Sequence, residues 1–103
     1  MTTALSPRLE NRFKRLASKW KRETAHLSAV EKISMHPSYQ QIIGMGSDAL
    51  PLIFAELKED PDHWFWALRA IAGVDPVPES SRGKVKQMVK LWVAWGRKNG
   101  YAR

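Results

Sequence analysis

Few residues in this chain are of a type that could do chemistry, and most are spaced wrongly for it. His26, His36 and His63 are the only imidazoles. Their separations match no local ligand pair for zinc, and Asp60, Asp62 and His63 crowd one turn in a way that suits capping. Gly44-Met45-Gly46-Ser47 invites comparison with a phosphate loop. It lacks the Gly-Lys-Ser/Thr ending, and Asp48 puts negative charge where a phosphate would sit. No serine has a base at recognisable spacing, no Gly-x-Ser-x-Gly elbow occurs, and the absence of cysteine removes thiolate and disulfide chemistry. No catalytic residue, metal ligand or cofactor is therefore assigned, and no enzymatic activity is expected.

What remains is the chemistry of binding. Arg8, Arg12, Arg15, Lys19 and Arg22 fall into one stripe at about 100° per residue, beside an apolar stripe of Leu9, Phe13, Leu16 and Trp20. Near the other end, Lys86, Lys90 and Arg97 share a second strip. Of 17 basic residues, eight precede Ser34 and seven follow Pro78, whereas Ser47 to Gly73 holds five acids against two bases. With a net charge of +7 and a pI near 10.1, acidic partners are favoured. If the two terminal helices pack side by side, their strips merge into one patch able to neutralise phosphates. No sequence-reading signature accompanies them, and the helices around Gly44-Met45-Gly46 make only a weak helix-turn-helix. A membrane-surface role for the first helix ranks lower, because Phe13 and Trp20 are wanted by a core.

A second binding feature is Trp66, which projects away from Trp64 and Leu68 and lies near Asp62 and Arg69. In a compact domain another part of the chain is expected to cover it; left exposed, it would anchor a protein partner. With Asp60, Asp62 and Arg69 it outlines a candidate protein-interaction surface.

The elements that must position these residues are all helical by periodicity. Ser6-Pro7 starts the first helix. Ser28-Ala29-Val30-Glu31 has the form of a capping box, starting a short helix at residue 29. His36 caps a third helix before Pro37, which Gly44-Met45-Gly46 ends. Ser47 caps the next, whose main face is Leu50, Ile53, Phe54 and Leu57. Leu52 and Ala55 lie nearly opposite, which predicts a helix buried on two sides. Asp60-Pro61 repeats the cap-plus-proline start for a helix burying Trp64, Leu68, Ile71 and Ala72, stopped by Gly73. Residues 74–83 form a proline-rich loop. The last helix, 84–99, turns Val85, Met88, Val89, Trp92 and Trp95 to the core. Gly96 allows close approach, and Gly100 precedes a short tail.

The expectation is one all-α domain over residues 1–103, a compact bundle of four to five helices with residues 1–5 disordered. The N-terminus lacks a signal-peptide core and no run suits a membrane span, so a cytoplasmic protein is expected. The segment ALPLIFAELKEDPDHWFWALRAIAG, with Pro51, the Leu57 face, the Asp-Pro turn and Arg69, resembles a HEAT-type helical repeat unit. The longer run from His36 to Val77 also resembles a group of small bacterial proteins, which implies a bacterial or phage source and brings no activity with it. Units of the HEAT type mostly bind proteins, so the resemblance implies a protein-interaction module. The alternative is sequence-nonspecific binding of DNA or RNA by the basic first and last helices. A homodimer through the Trp-rich last helix stays open.

Overall fold

Proline stands in the first turn of three helices of this chain, and glycine fixes where several of them end. The structure, a computed structural model, describes residues 7–59, 61 and 63–103. Their regular structure is entirely helical, in six α-helices: α1 (Pro7–Thr24), α2 (Val30–Ser34), α3 (Pro37–Gly44), α4 (Leu50–Glu59), α5 (Phe65–Ala72) and α6 (Val85–Lys98). Single 3₁₀ turns occupy Gly46–Ala49 and Glu79–Ser81. Six replaces the expected four to five, because α2 and α3 are separate helices broken at His36-Pro37 and both count. The Ser6 cap, the disorder expected of residues 1–5 and the Asp60 cap lie outside the described residues.

The packing runs as a chain of helix pairs, α1 on α3, α3 on α5, α5 on α4 and α4 on α6. The result is a flattened body, 38 × 37 × 23 Å, with a Cα radius of gyration of 13.3 Å. Two aromatic groups fill it. Phe13 and Trp20 from α1, Tyr39 from α3 and Trp64 meet with ring centroids 4.7 to 5.9 Å apart. Each such pair adds about 0.5–1.5 kcal/mol beyond its buried area. Trp20 donates its indole N–H to the Ile33 carbonyl at 2.9 Å, whereas the buried Trp64 indole N–H makes no hydrogen bond. The second group sits where α6 meets α4, with Trp92 edge-on to Trp95 and Trp95 stacked on Tyr101.

Several local expectations hold. His36 caps α3, its Nδ1 accepting the Ser38 N–H at 3.1 Å with Pro37 in the first turn. Gly73, at φ 73°, takes the left-handed conformation that closes α5. Leu50, Ile53, Phe54 and Leu57 are all buried.

Others are corrected. Ala29, with no side-chain cap, precedes α2, so the Ser28 box does not form and the helix starts one residue later. Ser47 lies inside the 3₁₀ turn that feeds α4 and does not cap it. That turn leaves Pro51 in the first turn of α4, where its missing N–H costs nothing. Ala55 is exposed and Leu52 only half-buried, so α4 is buried along one face. The turn after it is longer than the Asp-Pro signal predicts, and α5 begins at Phe65 with Trp64 as its N-cap residue. On α6 Trp92 is buried and Met88, Val89 and Trp95 pack against the core as expected, joined by the buried Val93 and Gly96, whereas Val85 at its start is exposed.

The last three residues fold back and are not a free tail. The Tyr101 N–H bonds the Gly96 carbonyl at 2.7 Å and the Gly100 N–H bonds the Arg97 carbonyl at 3.3 Å. With Gly100 at φ 83°, this is the paired hydrogen-bond pattern of a Schellman cap, completed by the Tyr101–Trp95 stack.

Candidate nucleic-acid interface

The α1 sequence alternates buried apolar and exposed cationic positions at helical spacing, and the fold honours both. Phe13, Ala17, Trp20 and Thr24 are buried against the rest of the protein. Arg8, Arg12, Arg15, Lys19 and Arg22 are all exposed. None of the five makes an ion pair or side-chain hydrogen bond, although such bonds are formed by their neighbours. Lys21, on the flank, pairs with Glu56 of α4 at 2.7 Å. Glu23 is claimed by His36, whose Nε2 lies 2.7 Å from the Glu23 carboxylate.

That contact fixes the local electrostatics. The hydrogen bond from His36 holds the Glu23 carboxyl below its ordinary value, with the nearby charges of Lys19 and Arg22 acting in the same direction. Glu23 is therefore an anion at neutral pH, at the end of an otherwise cationic face. Between α1 and α3 runs a shallow, open groove, lined by Lys14, Arg15, Lys19 and Arg22 on one wall and by Ser38 and Gln41 on the other. Lys14, Ser38 and Gln41 were not among the expected site residues. Lys14 falls outside the stripe on the helical wheel, and the α3 pair becomes adjacent only through tertiary packing.

The other expected residues are dispersed. On α6, Lys86, Lys90 and Arg97 are exposed, but α1 and α6 do not form one of the principal helix pairs. The expected side-by-side packing of the terminal helices is thus replaced by α1 on α3 and α6 on α4. Arg97 is partly committed, since its Nε donates to the Arg103 backbone oxygen at 2.7 Å. Lys58 of α4 donates to the same oxygen at 3.1 Å.

Trp66 is half-buried and packs against the core from outside, with the Arg69 guanidinium 5.9 Å from its ring centroid. The fold covers much of it and leaves an edge with a cation above it. Asp60 and Asp62, expected to complete that surface, lie outside the described residues. His26 is exposed, His36 is spent on Glu23 and Ser38, and the His63 carbonyl accepts from the Tyr39 hydroxyl. Among the described residues no group of three His, Asp or Glu is placed to hold a metal, and no helix is long and apolar enough to cross a membrane.

No family model, no curated protein and no solved structure matches this chain.

Proposed function

We propose that the chain is a binding module without catalytic chemistry, that its working surface is the basic face of α1, and that its ligand is the phosphate backbone of nucleic acid. One observation carries this reading. Five exposed cations share one helix face, and among the described residues none of them forms a close ion pair, Glu23 being the one acid whose charge reaches Lys19 and Arg22. A structural helix at a protein surface gains from interspersed acids, as i,i+4 pairs stabilise it. Here the two acids nearest the stripe are engaged by other groups, Glu56 with Lys21 and Glu23 with His36. Phosphates would supply the missing counter-charge and release condensed ions on binding.

The test is a titration of fluorescent DNA and RNA at rising salt. Affinity is expected to fall steeply with salt, and the slope to become shallower by about one for each phosphate contact removed in Arg12→Ala, Arg15→Ala and Lys19→Ala. Absence of any complex with either nucleic acid at low salt would end this reading.

A second reading rests on Trp66. A half-exposed Trp under an Arg is the composition of an interface anchor. In that reading α4 and α5 form the HEAT-like hairpin, and Trp66, Arg69, Asp60 and Asp62 contact another protein. It requires that Trp66→Ala weaken partner capture far more than it lowers the melting temperature.

A further inference from the structure

We infer that the nucleic acid taken by α1 is double-stranded DNA in the B form, with the helix seated in the major groove. The inference rests on the backbone-binding reading above and adds the form of the ligand to it.

The first argument is the absence of a stacking platform. Proteins that hold single strands combine a basic groove with exposed aromatic rings on which successive bases stack. Here Phe13, Trp20, Tyr39, Phe54, Trp64 and Trp92 are buried. Phe65, Trp66, Trp95 and Tyr101 are partly buried and packed against the core. These ten are all the aromatic residues of the chain, and none lies on the cationic face. A splayed-out base would find charge there but no ring.

The second argument is the placement of α1. It packs chiefly on α3, which leaves its outer side open along its length. From Arg8 to Arg22 the cations extend about 21 Å at a rise of about 1.5 Å per residue. A helix with its side chains is roughly 10–12 Å across, which fits the roughly 12 Å major groove of B-form DNA. The major groove of A-form RNA is too narrow for side chains to read.

The third argument is the order of side chains around the open side. At about 100° per residue, exposed Asn11 and Ser18 fall between Lys14 on one flank and the row Arg8, Arg15 and Arg22 on the other. Arg12 and Lys19 extend the cationic flank further round. Arg15 and Arg22 stand opposite the buried face of Phe13, Ala17, Trp20 and Thr24, with Asn11 and Ser18 beside them, which places short neutral groups for base edges next to cations that reach phosphates. The exposed Gln41, across the shallow groove from Arg15 and Lys19, adds a neutral donor beside the same face.

The experiment compares a DNA duplex, an RNA duplex of the same sequence and the DNA single strand, each labelled and titrated with the full chain at several salt concentrations. The DNA duplex is expected to bind about tenfold tighter than either competitor, as the groove dimensions require. Its log–log salt slope is expected to be about −4 to −5, as for roughly five neutralised phosphates. Arg15→Ala combined with Arg22→Ala should flatten that slope by about two, and the Lys versions should restore it. Circular dichroism of each variant establishes that the helices are intact. Equal or tighter binding of the RNA duplex or the single strand would overturn the inference and leave backbone binding standing. An unchanged slope in the folded double-Ala variant would remove the ligand from α1. Failure of all three nucleic acids to bind would end both readings.

Discussion

The Tyr39 hydroxyl stands between the ends of the α4–α5 turn and the body of α5: it donates to the His63 carbonyl at 2.7 Å and accepts the Ala67 N–H at 2.8 Å. This one side chain, wholly buried on α3, satisfies two backbone groups at the start of a helix that has no side-chain cap of its own. It also explains why α5 begins at Phe65 and not at Pro61. The bond holds His63 against α3, and the ring of the next residue, Trp64, enters the aromatic cluster. Tyr39→Phe keeps the ring and removes the hydroxyl, leaving the buried Ala67 N–H unsatisfied and taking one bond from the partly exposed His63 carbonyl. A loss of about 1–3 kcal/mol is expected, most of it from the buried N–H, read as a lower urea midpoint with an unchanged slope. A shift close to zero would show that the hydroxyl bridge is dispensable.

Gly96 makes the α4–α6 contact possible. A Cβ placed there would lie 2.8 Å from Phe54 Cζ, 2.9 Å from Cε2 of the same ring and 3.0 Å from Ala102 Cβ. The Phe54 ring is buried and has little room to withdraw. Alanine normally gains about 1 kcal/mol over glycine inside a helix, and overpacking costs about 1–3 kcal/mol. Gly96→Ala is therefore expected to lose stability despite its better helix propensity. A stabilised variant would mean that α6 can slide away from α4 at little cost.

How much of this was legible from sequence follows from how local each cause is. The Pro37 start, the His36 cap and the Gly73 stop depend on neighbours a few residues away, and they appear where the sequence puts them. The apolar stripe of α1 could be read because 3.6-residue periodicity is a property of one helix. What escaped reading depends on contacts between segments distant in the chain. The capping-box pattern at Ser28 gave way to a one-residue shift. The Asp-Pro signal lost to the Tyr39 bridge, which ties residues 24 to 28 positions apart. The core face of α6 was legible except at Val85, which is exposed, and at Val93, whose burial beside Trp92 depends on the neighbouring elements. For the candidate site, the five stripe cations were visible, while Ser38 and Gln41 came beside them only through the α1–α3 packing. The supposed union of the two basic strips needed the one fact a sequence withholds, which helices are neighbours.

Trp64 and Trp66 are two residues apart and should differ sharply in their contribution to the fold. Trp64 is completely buried among three other aromatic rings. Its truncation to Ala should cost about 3–5 kcal/mol, the range for large aromatic side chains in a core. Trp66 is only partly covered, so Trp66→Ala should cost about 1–2 kcal/mol of apolar burial. Denaturant titration of the two variants side by side checks the ordering. Equal losses would show that Trp66 belongs to the core and would weaken its case as an interface anchor.

The contact between Glu23 and His36 predicts the behaviour of the fold in acid. His36 accepts the Ser38 N–H at Nδ1, so the neutral ring carries its proton on Nε2, which points at Glu23. The Glu23 carboxyl is held below its ordinary value of 4.5, first by that hydrogen bond and then by the charges of Lys19 and Arg22. A carboxyl depressed in the folded state binds its proton less readily there than in the unfolded chain. Its contribution is complete above the unfolded value and disappears as pH falls through the lower folded one. Glu23→Gln should therefore be less stable than the parent near neutral pH, with the difference closing as the solution is taken below about 4.5. Denaturation midpoints of both proteins at several pH values from neutral to strongly acidic provide the check. A difference that persists unchanged into strong acid would show that the side chain acts through packing and not through its charge. The same titration bears on α1, because Glu23 and its partner join the end of the cationic helix to the start of α3. If the pair orders that junction, nucleic-acid affinity of Glu23→Gln should stay within a fewfold of the parent at neutral pH, since the variant also removes one negative charge from the binding face.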